Sequence, residues 1–393
     1  MACGDKIRFR RLFRFLFHRD HFFTVLFTAG IALLLVLISV NISFFNPLKR
    51  AFEDFSMTDI YYEILSDDSS PELSNKVTII DATNVYLRCD YADLLKKINS
   101  MHPAVLAVDL IFEGKKDEVC DDSLVEELYK IPNLIVASKM TEYNPEKECF
   151  TNVVHSYFEN SAKFPFAYVN IVNNMTFHTV RKYSVFQKLN QDTIYSFPTK
   201  IVSSYLHKSA SIFVRKDNEP YIDYRRNVMF PCISADSIQY WKSLINNRIV
   251  LLGCMHEEAD THFTPLGKKA GVEIQAYSVL TQLNHRELKQ MSGLCGGILA
   301  LIISYFTSVI CFLIAHHLKR VMYLVIKLFL FVEMALLVWI GFLCYVHFNY
   351  NISLLYPLLA VALTETARFY YANLILYLKT RKGVFRVRKT IYL

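Results

Sequence analysis

Val77-Thr-Ile-Ile-Asp81 and Val105-Leu-Ala-Val-Asp109 decide the fold class. Each is a short apolar run that ends in an aspartate. Between them Tyr91–Met101 carries Leu94, Leu95 and Ile98 on one helical face, and Pro103 ends that helix. Strand, helix and strand within about 30 residues form a βαβ unit, which favours parallel strands in one sheet.

The same alternation extends in both directions. Ser123–Lys130 reads as a helix and Asn133–Ala137 as a strand. Farther on, Phe166–Ile171 and Arg181–Val185 read as strands, Pro198–Leu206 as a helix and Pro220–Tyr224 as a short strand. Ser234–Ile238 is a short helix, Arg248–Gly253 a buried strand and Gly271–Leu283 a helix. The expected product is an α/β domain over residues 76–291 with a mainly parallel or mixed sheet.

Outside this domain the chain turns apolar. Of 393 residues 53% are hydrophobic and 20% charged, too apolar for an ordinary soluble enzyme. Four runs are long enough to span a bilayer: 22–45, 294–315, 321–348 and 352–377. The first is expected to be an uncleaved anchor, because it exceeds a signal-peptide core and no A-x-A site follows it. Residues 46–75 read as an amphipathic juxtamembrane helix followed by a polar linker.

Basic residues crowd three places: the tail 1–21, the loop 316–320 and the tail 378–393. The positive-inside rule puts all three in the cytoplasm, giving a multi-pass inner-membrane protein with both termini inside. These pieces carry 14 basic and 2 acidic residues, and the exterior segment 27 basic and 32 acidic. The net charge of +7 is therefore a topology and lipid-headgroup signal, and no nucleic-acid partner is expected. Lys327, Glu333, Glu365 and Arg368 lie in or near the spans. Lys327 can snorkel, Glu365 and Arg368 can pair, and Glu333 is left near the bilayer centre. Gly293 and Gly297 form a G-x-x-x-G that permits close helix approach.

Cysteines do not form a framework. Cys89, Cys120, Cys149, Cys232 and Cys254 lie in the exterior segment, an odd number without a C-x-x-C. In an oxidising exterior Cys120–Cys149 is the expected disulfide, because the two flank the 123–137 helix–strand unit in polar loops.

The exterior segment has only four glycines, Gly114, Gly253, Gly267 and Gly271, from which no dinucleotide fingerprint, Walker loop or nucleophile elbow can be built. Parallel strands place Asp81 and Asp109 at one sheet edge, beyond the strand carboxyl ends where ligands of open α/β sheets bind. The loop from Gly253 to Asp260 supplies a third wall. Such an edge could hold a cation or an amine, or the aspartates could only fix loops. His256-Glu-Glu-Ala-Asp-Thr-His262 lacks zinc-site spacing and reads as a solvated acidic loop. Thr264-Pro-Leu-Gly267 reads as a turn.

Val77–Asp81, Val105–Phe112 and Asn133–Ala137 resemble the opening of the type 2 CHASE domain, an extracellular sensory module associated with cyclases and histidine kinases. The closing match is more specific: Gly253, Asp260-Thr-His-Phe-Thr-Pro-Leu-Gly267 and Gly271-Val-Glu-Ile-Gln-Ala276. One span, the sensory domain and three further spans is also the family's arrangement. Members typically continue into a cytoplasmic output domain, whereas these 393 residues end about 16 after the last run.

The resemblance implies a non-enzymatic sensor of bacterial type, with no cofactor. Asp81, Asp109, Asp260, Thr264 and Glu273 are the expected ligand-facing residues. The partners would be an unidentified small ligand or periplasmic protein outside, a separate signalling protein inside and membrane lipid, with self-association left open. The alternatives are a membrane-anchored enzyme using the carboxylate edge, and an envelope docking or assembly protein.

Overall fold

In the computed structural model the described residues are 15–41, 59, 62, 72–158, 166–171, 179–214, 218–224, 228–285, 288–318 and 321–381. Most of the expected basic tails and of the 46–75 segment, and the end of the 22–45 run, lie outside them. The chain divides into two compact units, residues 1–57 with 289–393 and residues 58–288.

The second unit is an α/β domain. In chain order its main elements are β1 (Val77–Asp81), α1 (Arg88–Ser100), β2 (Val105–Val108), α2 (Glu118–Tyr129), β3 (Leu134–Asn144), β4 (Cys149–Val154), β5 (Phe166–Tyr168), β6 (Phe186–Leu189), β7 (Asp192–Tyr195), α3 (Phe197–Leu206), β8 (Cys232–Ser234), β9 (Ile249–Gly253), β10 (Thr261–Thr264), β11 (Gly267–Ala270) and α4 (Gly271–Leu283). The mixed sheet runs β8-β1-β9-β2-β3-β4-β6-β7, with β5 also on β3. From β8 to β3, and on to β5, every pairing is parallel. β3 then continues beyond the parallel region and turns antiparallel against β4, and β6 and β7 form a second hairpin.

Alternation of side chains across the pleat explains why the central strands are apolar throughout. Ile80, Leu106, Val108, Val136, Val250 and Leu252 face one way, into a core shared with Leu94, Leu95 and Ile98 of α1 and Leu124 and Leu128 of α2. Ile79, Ala107, Ile135 and Leu251 alternate with them and are equally buried. Helices α3 and α4 pack on one another, α4 against β1 and β9 and α3 against β2 and β3.

Two expected strands differ. Arg181–Val185 and Pro220–Tyr224 are held mainly by isolated bridges at Lys182 and Tyr221. Main-chain bonds still join the two segments, from the Tyr183, Val185 and Ile222 amides to the Pro220, Asn218 and Arg181 carbonyls (3.1, 2.9 and 2.8 Å), and the Asn218 carboxamide extends the contact by accepting from the Phe186 amide (3.1 Å) and donating to the Phe186 carbonyl (2.7 Å).

The expected Cys120–Cys149 disulfide is not formed. Cys120 is bonded to Cys89 with Cα atoms 4.6 Å apart, and Cys149 is a buried free thiol. Helix α1 starts at Arg88, earlier than expected, so Cys89 lies in its first turn. The Asp117 carboxylate caps α2 by accepting from the Cys120 amide (2.9 Å), which puts Cys120 in the first turn of α2. Two crossover helices on one face run the same way, and their first turns meet. Next to the disulfide, Arg88 and Asp121 form a buried ion pair. Arg88 also donates to the Glu113 and Gly114 carbonyls (3.0 and 2.6 Å) and lies over the Tyr157 ring.

The first unit contains helices Arg19–Asn41, Gly293–His317, Met322–Phe348 and Leu355–Arg381. Gly293–His317 and Met322–Phe348 are long and apolar enough to cross a membrane. Ser304, Thr307, Ser308 and Cys311 make a buried polar stripe on the former at helical spacing. Ser304 bonds Thr364 (2.8 Å), Ser308 bonds His21 (3.2 Å), and Thr307 donates to Glu333 (2.7 Å). Glu333 thus has a polar partner that the sequence did not reveal. Arg368 pairs with Glu365 at 2.7 Å, as expected. Close approach occurs at Gly296, where a Cβ would meet Tyr356 and Ser353, and not at Gly293 or Gly297.

Candidate functional site at the carboxyl edge of the sheet

β1 and β2 flank β9, and all three run parallel. Asp81 is in register with Gly253, and the Asp109 amide donates to the Leu252 carbonyl at 2.8 Å. The loops after the three strands therefore leave from the same edge. Gly253 permits the packing there, since a Cβ on it would sit 3.0 Å from Val272 Cγ2 and 3.3 Å from Asp109 Cβ.

Asp81 is used to fix loops. Its Oδ1 accepts from the Thr83 amide (3.0 Å), the Thr83 hydroxyl and the Met255 amide (3.1 Å). The Thr83 hydroxyl oxygen in turn accepts from the Met255 and His256 amides (3.1 and 3.3 Å), so the loop after β1 is tied to the loop after β9. Burial pushes the Asp81 carboxyl up, but these hydrogen bonds outweigh it and hold the group below its ordinary value of 3.8.

Thr264 closes the β10–β11 hairpin. Its hydroxyl donates to the Gly267 carbonyl (2.7 Å) and accepts from the Leu266 amide (3.2 Å), while Gly267 takes φ +90°. Glu273 lies in the first turn of α4 and accepts from Lys269 at 2.7 Å. Both residues are thus committed to local structure.

Asp109 and Asp260 differ from these three. The Asp109 carboxylate has no hydrogen-bond partner among the described residues. Burial, reinforced by the negative charge of Asp260, pushes it up to about 7. Asp260 is half exposed and pairs with His262 at 3.2 Å, and its carboxylate lies against Gly271 at the start of α4. His256 approaches Asp81 at 3.7 Å, so the two histidines of the acidic loop serve different carboxylates. Among the described residues no cluster of three or more His, Cys, Asp or Glu is arranged to hold a metal ion.

Thr83, Cys254 and Glu257 carry no role in the reading from sequence. Cys254 follows β9 directly, and its thiol is pushed up to about 11 by burial, then by Glu257, Asp81, Asp109 and Asp260. Four carboxylates thus lie close enough to this thiol to oppose its ionisation. Thr83 had a legible signal: Asp-x-Thr after a strand is the spacing of a side chain that caps its own loop.

A family model described as the CHASE2 domain matches residues 30–310, more than half of the chain. The chain belongs to the CHASE2 domain family, whose members are sensory extracellular domains. No curated protein and no solved structure matches it.

Proposed function

We propose that this CHASE2 chain is a membrane receptor whose α/β domain senses a cationic ligand, or the proton itself, at the edge formed by Asp109 and Asp260. The observation that carries the reading is the pairing of two carboxylates, one of them without a hydrogen-bond partner among the described residues, beyond the ends of three parallel strands. A proton or cation relieves their repulsion, and a ligand that binds two states differently shifts the balance between them. Asp81, Thr264 and Glu273 hold the surrounding loops and hairpin in place.

The domain lies outside the cytoplasm in this reading. The Cys89–Cys120 disulfide supports that placement, because such bonds persist in oxidising compartments. The three basic segments support four spans with both termini inside, and a separate cytoplasmic protein reads the change.

The test is thermal melting of the full-length protein in lipid nanodiscs, with divalent cations and small primary amines added singly. At least one should stabilise the wild type and lose its effect in Asp109→Asn, while Glu333→Gln keeps it. A panel that stabilises neither protein, or stabilises Asp109→Asn equally, rejects the edge as a cation site, and wild-type and Asp109→Asn melting curves that stay parallel from pH 5 to 8 reject it as a proton site.

A further inference from the structure

A second candidate site, a cavity of the domain, lies away from the carboxylate edge and shares no residue with it. It is a cleft of about 560 Å³, in the size range of small-molecule sites, over the hairpin extension of the sheet. Tyr143, Phe150 and Phe186 supply aromatic surface, with Tyr143 and Phe150 packed edge to face at 5.1 Å.

Tyr168 is only 2% exposed and lines both this cleft and the small cavity that continues it inward. Its hydroxyl is buried and makes no hydrogen bond of ordinary length and angle among the described residues. The nearby serines are engaged elsewhere. The Ser184 hydroxyl donates to the Phe186 carbonyl (2.8 Å) and accepts from the Gln187 and Asn218 carboxamides. Ser196 bonds the Thr199 hydroxyl at 2.9 Å. Burial, then the charge of Glu219, pushes the Tyr168 phenol up, while the neighbouring Ser184 and Ser196 hydroxyls oppose the rise without outweighing it. An unpaired buried hydroxyl lowers stability, and a bound acceptor would remove that cost.

The charged lining contains both signs. Lys182 lies at the inner end, common to both cavities, with its ammonium 5.0 Å from the centre of the Tyr221 ring. Lys188, Glu148 and Glu219 complete the set. Two cations and two anions around aromatic walls fit a molecule that itself carries both charges on an apolar body.

We propose that this cleft binds a small zwitterion with an apolar side chain, of the chemical class of a free aromatic amino acid. The carboxylate of the ligand accepts from the Tyr168 hydroxyl and the Lys182 ammonium. Its ammonium faces Glu148 and Glu219, and its ring lies against Tyr143, Phe150 and Phe186.

The test uses the full-length protein in nanodiscs and isothermal titration with L-phenylalanine, phenylacetate and phenethylamine. L-phenylalanine should bind saturably, and each single-charge analogue at least about tenfold more weakly, the discrimination expected when a buried polar partner is missing. Tyr168→Phe should weaken L-phenylalanine at least about tenfold, since a hydrogen bond to a charged group is lost. The melting temperature of the ligand-free variant should not fall, because the hydroxyl has no partner to lose. Asp109→Asn should bind L-phenylalanine as the wild type does, which separates this cleft from the carboxylate edge. Absence of saturable binding, equal binding of either analogue, or equal binding by Tyr168→Phe overturns the proposal.

Discussion

Asp260 occupies the space that a side chain at position 271 would need: a Cβ built on Gly271 would lie 2.7 Å from Asp260 Cγ. Gly271→Ala should therefore push the carboxylate aside without preventing the helix from starting, since alanine is a better helix former. With Asp260 displaced, one of the two causes that raise Asp109 weakens. The titration midpoint of Asp109, followed by carbon NMR of labelled aspartate, should fall by roughly half a unit to one unit. An unchanged midpoint would mean that burial alone sets it.

Asp109 also makes stability depend on pH in a defined direction. Its carboxyl titrates near 3.8 when unfolded and at about 7 when folded. Between those values the folded state holds a proton that the unfolded state has released, so stability falls as pH rises from about 4 to 7 and then levels off. Asp109→Asn should flatten that decline and, at pH 8, be the more stable protein by about 1–3 kcal/mol, the cost of a poorly solvated charge. Parallel melting curves for the two proteins from pH 5 to 8 would contradict the assignment.

For Asp81 the opposite outcome is expected. Asp81→Ala removes the acceptor of three hydrogen bonds that join two loops. Losing charge-assisted bonds of this kind should cost about 1.5–3 kcal/mol. Thermal melting measures the loss, and the titration of Asp109 should still be observable in the folded variant.

Arg88 and Asp121 should be among the most sensitive positions of the domain. Arg88→Met leaves a buried carboxylate without its cation and should cost about 3–5 kcal/mol. Cys89→Ser should cost about 2–4 kcal/mol by freeing the cross-linked loop of the unfolded chain. Both changes loosen the same pair of helices, so the double variant should depart from additivity. Strictly additive losses in melting experiments would show that the ion pair and the disulfide act independently.

Membrane topology can be read with reporter fusions. A fusion after Lys382 and one within 316–320 should report the cytoplasm, and one near Lys216 the exterior. A C-terminal fusion on the exterior would remove one crossing and end the four-span arrangement.

The parts of the fold legible in the sequence were those in which burial dictates the pattern. Val77–Asp81, Val105–Val108 and Ile249–Gly253 lie in the sheet centre, apolar on both faces, and helix Gly271–Leu283 falls on its expected bounds. Legibility ended where the sheet leaves the core. In the hairpin Asp192–Tyr195 no residue is fully buried, so hydrophobic spacing carried little signal there. Strand ends showed that Asp81 and Asp109 share an edge, but not that Thr83 would engage one and leave the other unpaired. The disulfide escaped because Cys89 and Cys120 meet only once both helices lie on the same face with their first turns together, which spacing along the chain does not encode.

If the domain lies outside the cytoplasm as proposed, that cross-link also gives it a schedule. A chain must be unfolded to be threaded across a bilayer, and a reducing interior leaves Cys89 and Cys120 as separate thiols, free to pass through one at a time. Sealing on the far side then closes the loop behind the transported segment. Maturation would then be a step timed by arrival rather than by synthesis, and the assembled protein would differ covalently from the polypeptide that left the ribosome.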